Sequence, residues 1–173
     1  MSINEQSAAT EPYTVGMADL MVSQDQNLLL CTFPLGACLG IAVYDPVAKV
    51  GGVLHSMLPD SSIDPNRAAA RPGMFLDTGL ALLLKHAGNL KSKKENLLVY
   101  AAGGSQIMDD TAGFNIGKRN YEVFTELLAQ NGLTLQAADV GGLTNRSMQL
   151  NLGSGEVRLR FSGQAKMKML CKS

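Results

Sequence analysis

The apolar positions of this chain fall into short clusters, cut apart by Gly, Pro, Asp and Asn. Runs over 13–17, 27–32, 38–44 and 50–57 carry the β-branched and aromatic residues of strands, with turn-forming residues at their ends. A polar stretch over 59–72, with Asp60, Ser61, Ser62, Asp64 and Asn66, predicts a loop too long to be a mere connector. The period then changes. Over 74–87, Phe75, Leu76, Gly79, Leu80, Leu82, Leu83 and Leu84 make a broad helical face, and Gly88-Asn89 supplies the stop. A strand of the buried type over 96–102 runs into Gly103-Gly104-Ser105. A second helix over 116–131 places Tyr121, Phe124, Leu127 and Leu128 at helical spacing and stops at Gly132. Strands over 134–140, 147–152 and 156–161 complete the pattern, the last two joined by a Gly153-Ser154-Gly155 hairpin. Mostly antiparallel strands with two main packed helices predict an α+β layered domain over 12–163. A disordered lead-in is expected over 1–11 and a Lys/Met tail over 164–173.

Composition narrows the function. With 46% hydrophobic and 17% charged residues in 173, the chain has ample material for one core. Fifteen basic residues balance fifteen acidic ones, so the basic excess of a nucleic-acid binder is missing. No apolar run approaches the length of a membrane span, and the polar N-terminus lacks a signal-peptide layout. A cytoplasmic location is the expectation. The three cysteines, Cys31, Cys38 and Cys171, have no metal-type spacing and should be free thiols. Cys31 is expected to be a small core hydrophobe and Cys171 to be inert. No metal and no cofactor is expected. Gly103-Gly104-Ser105 lacks the lysine of a phosphate-binding loop and reads as a tight turn or a wall beside a site. Asp109-Asp110 reads as a solvated turn, and His86 as a partner of its helix C-terminus.

The chemistry concentrates in one place. Cys38 and His55 lie seventeen residues apart, each in a glycine-flanked apolar segment, with Asp45-Pro46 between them as a turn. Two adjacent antiparallel strands would bring such a thiol and imidazole together, the minimum for nucleophilic acyl transfer. Gly36-Ala37-Cys38 could turn consecutive N–H groups toward a developing oxyanion, and Thr32 could orient the imidazole. Cysteines and histidines on apolar strands are more often packing residues than catalysts, so the pair by itself is a modest signal. A thiol-redox protein is a further reading, weakened by the want of a resolving partner for Cys38.

Leu35-Gly36-Ala37-Cys38, Val50-Gly51-Gly52-Val53-Leu54-His55 and Met57-Leu58-Pro59-Asp60 resemble the catalytic segment of the CheD family of chemoreceptor glutamine deamidases. The resemblance continues through Asp77, Ala102-Gly103-Gly104-Ser105, Asn115-Ile116-Gly117-Lys118-Arg119-Asn120, Asp139-Val140-Gly141-Gly142, Arg146 and the Gly155 hairpin, covering 13–162 in order. It implies a layered α/β/β fold with Cys38 as nucleophile, His55 as general base and Thr32 as orienting residue, and with Gly36, Ala37, Gly103, Gly104 and Ser105 around the oxyanion and substrate. The implied substrate is a glutamine on a chemoreceptor cytoplasmic helix, converted to glutamate with release of ammonia. A CheC-type phosphatase is an implied partner, and an adaptor that mainly stimulates such a phosphatase is the alternative function. Two positions depart from the family pattern: Ala37 stands where serine is usual, and Phe75 where tyrosine is common.

Overall fold

The computed structural model describes residues 10–106 and 115–170. Asp109-Asp110 and Cys171, each given a reading from sequence, lie outside the described residues. The strands are β1 (Glu11–Val15), β2 (Asp19–Ser23), β3 (Leu28–Thr32), β4 (Leu39–Asp45), β5 (Val50–Ser56), β6 (Leu98–Gly103), β7 (Leu135–Val140), β8 (Arg146–Asn151), β9 (Val157–Phe161) and β10 (Met167–Met169). The α-helices are α1 (Pro65–Ala70), α2 (Leu76–Asn89) and α3 (Ile116–Gln130).

Strands β4 and β5 are buried at every position. A strand covered on both faces needs apolar residues throughout, which is why both read as unbroken runs. One face of this pair carries Leu39, Ile41, Val43 and Leu54 against Leu76, Leu80 and Leu83 of α2 and Phe124 and Leu128 of α3. The other carries Ala42, Tyr44 and Val53 against Leu30, Met148, Leu150, Val157 and Leu159 of the second sheet. The result is three layers: helices, a sheet in the order β2-β5-β4-β6-β7, and a sheet in the order β1-β3-β8-β9-β10. Pairing is antiparallel except for β1 with β3 and β6 with β7. The layered α+β expectation agrees with this architecture.

Asp45 makes the expected β4–β5 turn. Its carboxylate accepts the Val47, Ala48 and Lys93 N–H groups, at 2.9 Å each, and the Ser92 hydroxyl at 3.1 Å. Burial would raise its pKa, but these four hydrogen bonds outweigh burial and hold it below the ordinary carboxylate range.

Four local features differ from the sequence reading. The strand expected from residue 13 starts at Glu11, and β2 has no counterpart among the expected elements. β2 is an edge strand of five residues, with no apolar alternation strong enough to stand out. Residues 65–70 of the expected loop form α1, where Asp64 caps the Arg67 N–H and Pro65 opens the first turn. Within the expected tail, β10 adds to the edge of β9, because the sheet edge supplies backbone partners to a segment with no core pattern of its own.

The chain crosses between the two sheets at 16–18, 24–27, 33–38 and 141–145. Strand directions put the first, third and fourth of these crossovers at one end of the sandwich, where Val15 pairs with Thr32 and Leu39 with both Ser56 and Gly103. Cys38 is at that end.

Candidate active site

Cys38 is the last residue of the crossover from β3 to β4. It packs, half-buried, against the core between the sheets. In the β4–β5 ladder Gly40 lies directly opposite His55. Cys38 lies two residues before Gly40, just outside the strand, and so flanks the register position of His55. The Leu35 side chain covers Gly40, since a Cβ there would come within 2.7 Å of it. The sequence reading expected thiol and imidazole on two adjacent strands; Cys38 instead lies one residue before β4, and His55 lies on β5.

Electrostatics sets the resting state of the pair. His55 is fully buried, and among the described residues neither ring nitrogen has a hydrogen-bond partner of good geometry. Burial lowers its pKa, and a weaker interaction with the Val15 backbone opposes that shift. Burial also raises the Cys38 pKa, opposed in part by the residue's own N–H. Both shifts favour the neutral forms. Together the two directions disfavour a preformed thiolate–imidazolium pair. A buried imidazole without partners costs about 1–3 kcal/mol, a cost that an apolar residue at this position would avoid.

Thr32 ends β3 on the same inter-sheet side, 6% exposed. Its hydroxyl oxygen accepts the Met148 N–H at 3.0 Å and makes no hydrogen bond to His55. The Val15 backbone, paired in register with Thr32, is the group that approaches the ring. Nothing in the sequence marked Val15, because a backbone group leaves no residue-type signature.

The remaining candidates line the nucleophile segment. The Gly36 carbonyl accepts the Ser105 N–H at 2.9 Å, and the Cys38 carbonyl accepts the Gly104 N–H at 2.8 Å. Gly103 has φ 106°, and a Cβ on it would sit 2.3 Å from the Cys38 carbonyl oxygen, so only glycine fits. Ala37 is exposed, and its carbonyl accepts a hydrogen bond from Asn120 of α3 at 3.0 Å. Asn120 also donates to the Met57 carbonyl at 3.1 Å, two residues beyond His55. The sequence reading gave Asn120 no role of its own; an amide at a buried position of an amphipathic helix was the available signal. Cys31 corrects its expectation: it is half-buried on the opposite face of β3 from Thr32, and its thiol lies 3.6 Å from the Leu29 carbonyl oxygen. It is directed away from Cys38. Exposed His86 occupies the last turn of α2, as expected.

The family model described as CheD chemotactic sensory transduction matches residues 57–161. A protein of Solibacter usitatus named probable chemoreceptor glutamine deamidase CheD is 42% identical over 156 residues, 90% of this chain and 92% of its own length. The chain belongs to the CheD family. Other CheD relatives include probable chemoreceptor glutamine deamidase CheD 1 of Syntrophus aciditrophicus, 41% identical over 86% of this chain and 93% of that one. The like-named CheD protein of Pyrococcus horikoshii is 37% identical over 88% and 94%. Among solved structures, the Bacillus licheniformis hypothetical protein YfiH aligns with a TM-score of 0.41 at 14% identity, over 75% of this chain and 58% of that one. That likeness is too distant to bear on function. Among the described residues no helix is long and apolar enough to cross a membrane, and no cluster of His, Cys, Asp or Glu is arranged to hold a metal ion.

Proposed function

We propose that this CheD-family chain is a chemoreceptor glutamine deamidase, with Cys38 as nucleophile, His55 as general base and Thr32 as the orienting residue. The observation that carries the reading is Cys38 one residue before β4, packed against the inter-sheet core and two residues from Gly40, the register partner of buried His55 on β5. The names of the relatives supply the substrate class. A half-buried thiol beside exposed Ala37 suits a protruding side chain on a protein surface. Met17, Phe33 and Leu143, exposed apolar residues of the three crossovers at this end, suit a largely apolar helical partner. The receptor's cytoplasmic helices would be that partner.

The chemistry follows from the neutral resting pair. As the Cys38 sulfur attacks the glutamine side-chain carbonyl carbon, His55 takes the thiol proton. The imidazolium then gives that proton to the amide nitrogen, the C–N bond breaks, and ammonia leaves a thioester. Water attacks the thioester, His55 removes its proton, and the C–S bond breaks to release glutamate. Proton return restores the thiol. Thr32 has a second lone pair beyond the one used by Met148, and it could accept the other imidazole N–H during the cycle. No cofactor enters any step.

Intact-mass spectrometry of a chemoreceptor cytoplasmic fragment, incubated with wild type and with Cys38→Ala, tests the reading. A gain of about one dalton per site with wild type alone is expected, the exchange of amide NH2 for OH through a thioester. Equal mass gain with Cys38→Ala refutes the nucleophile. No gain with either protein, alongside stimulation of a CheC-type phosphatase, would establish the adaptor function instead.

A further inference from the structure

We infer that Asn120 is a positioning residue for the oxyanion site: it fixes the Ala37–Cys38 peptide so that the Cys38 N–H faces the reacting carbonyl. The inference rests on the deamidase reading above. Asn120 is fully buried on α3, and its side-chain nitrogen donates to both the Ala37 and the Met57 carbonyls. These two bonds use both of its amide protons. They tie the residue before the nucleophile to the segment just beyond the base. Among the described residues the Asn120 carbonyl oxygen meanwhile has no partner, an arrangement that apolar packing alone would not select.

The direction of the Cys38 N–H follows from peptide geometry. In a planar trans peptide the C=O and the N–H point to opposite sides. With the Ala37 carbonyl held toward Asn120, the Cys38 N–H points away from α3. It donates to no carbonyl among the described residues. The neighbouring carbonyls are fixed as well, Gly36 by the Ser105 N–H and Cys38 by the Gly104 N–H. Three successive carbonyls are therefore anchored in the protein, and the middle one alone depends on a side chain. The depth of α3 is set by Gly117, where a Cβ would lie 2.5 Å from the Gly104 carbonyl oxygen. A donor held in advance at the site of developing charge contributes most in the transition state, and so acts on kcat more than on KM.

Two reactions of the same thiol separate this role from a structural one. Deamidation passes through an oxyanion; alkylation of Cys38 by iodoacetamide is a displacement at saturated carbon and does not. Asn120→Leu, close in volume and unable to donate, is expected to lower kcat for receptor deamidation by about tenfold or more. KM and the alkylation rate should be unchanged. Asn120→Ser, which can reach at most one of the two carbonyls, should lose less and serves if the leucine variant does not fold. Wild-type kcat in a folded Asn120→Leu protein overturns the inference, as does a parallel fall in alkylation or loss of folding in both variants. Cys38→Ala is assayed alongside. If it is inactive while Asn120→Leu is fully active, the positioning role alone fails; if it retains turnover, the deamidase mechanism fails and takes this inference with it.

Discussion

Replacing Arg146 by Met should cost about 3 kcal/mol, the low end of what breaking a buried charge pair costs. Arg146 is 3% exposed where β8 begins. One terminal nitrogen donates to the Asp139 carbonyl at 2.8 Å and to the Asp139 carboxylate; the other donates to the Thr144 carbonyl at 3.1 Å and to the Gly141 carbonyl. The guanidinium also lies 5.5 Å from the centre of the Phe161 ring. Methionine fills much of the same volume but leaves three carbonyls without their charged donor. Asp139 is not orphaned, because Lys168 stays 2.7 Å from its other oxygen, and this keeps the cost at the lower bound. In a domain of this size about 3 kcal/mol lowers Tm by about 6–12 °C. Thermal unfolding followed by circular dichroism reads this directly. Turnover measured well below the melting temperature should fall less, since the backbone pairing of Arg146 with Leu35 does not use the side chain. A Tm within about 2 °C of wild type would refute the argument that the carbonyls of 139–144 depend on this cation.

Further outcomes follow from the site. The iodoacetamide alkylation rate of Cys38 should rise with pH to a midpoint above the ordinary thiol value of about 8.5, because burial raises its pKa; a midpoint below 7 would mean a preformed ion pair. Burial depresses the folded-state pKa of His55, so as pH falls below about 6.5 the unfolded chain takes up its proton first. The stability due to neutral His55 is therefore present above that pH and is lost as pH falls through the folded-state value; melts from pH 7.5 to 5 should show the loss, and His55→Gln should flatten it. Gly103→Ala should lower both Tm and deamidation, since its Cβ meets the Cys38 carbonyl at 2.3 Å and its φ is 106°; an active, equally stable variant would refute that account.

What the sequence revealed depended on how each signal is encoded. β4 and β5 were legible because burial on both faces demands continuous apolar runs, and α2 because its apolar positions recur at helical spacing. β2 and β10 were not, since edge strands owe their structure to a neighbour's backbone more than to their own side chains. The strand-turn-strand spacing made Cys38 and His55 candidates for a pair. The contacts of Asn120 could not, because they join residues 63 and 83 positions apart and end on backbone carbonyls, which every residue has. Cys31 was misplaced for a related reason. Alternation fixes which residues share a face but not which face is covered.

The unequal stitching of the sandwich bears on how it moves. Among the described residues three crossovers bind the layers together at the Cys38 end, while 24–27 alone does so at the other. Two plates joined at one margin part at the opposite one. On connectivity alone, thermal breathing of this protein is expected to open more at the margin of 24–27 than at the margin that holds Cys38. Amide protons near 24–27 should exchange ahead of those around 33–38, and the two sheets should part last beside Cys38.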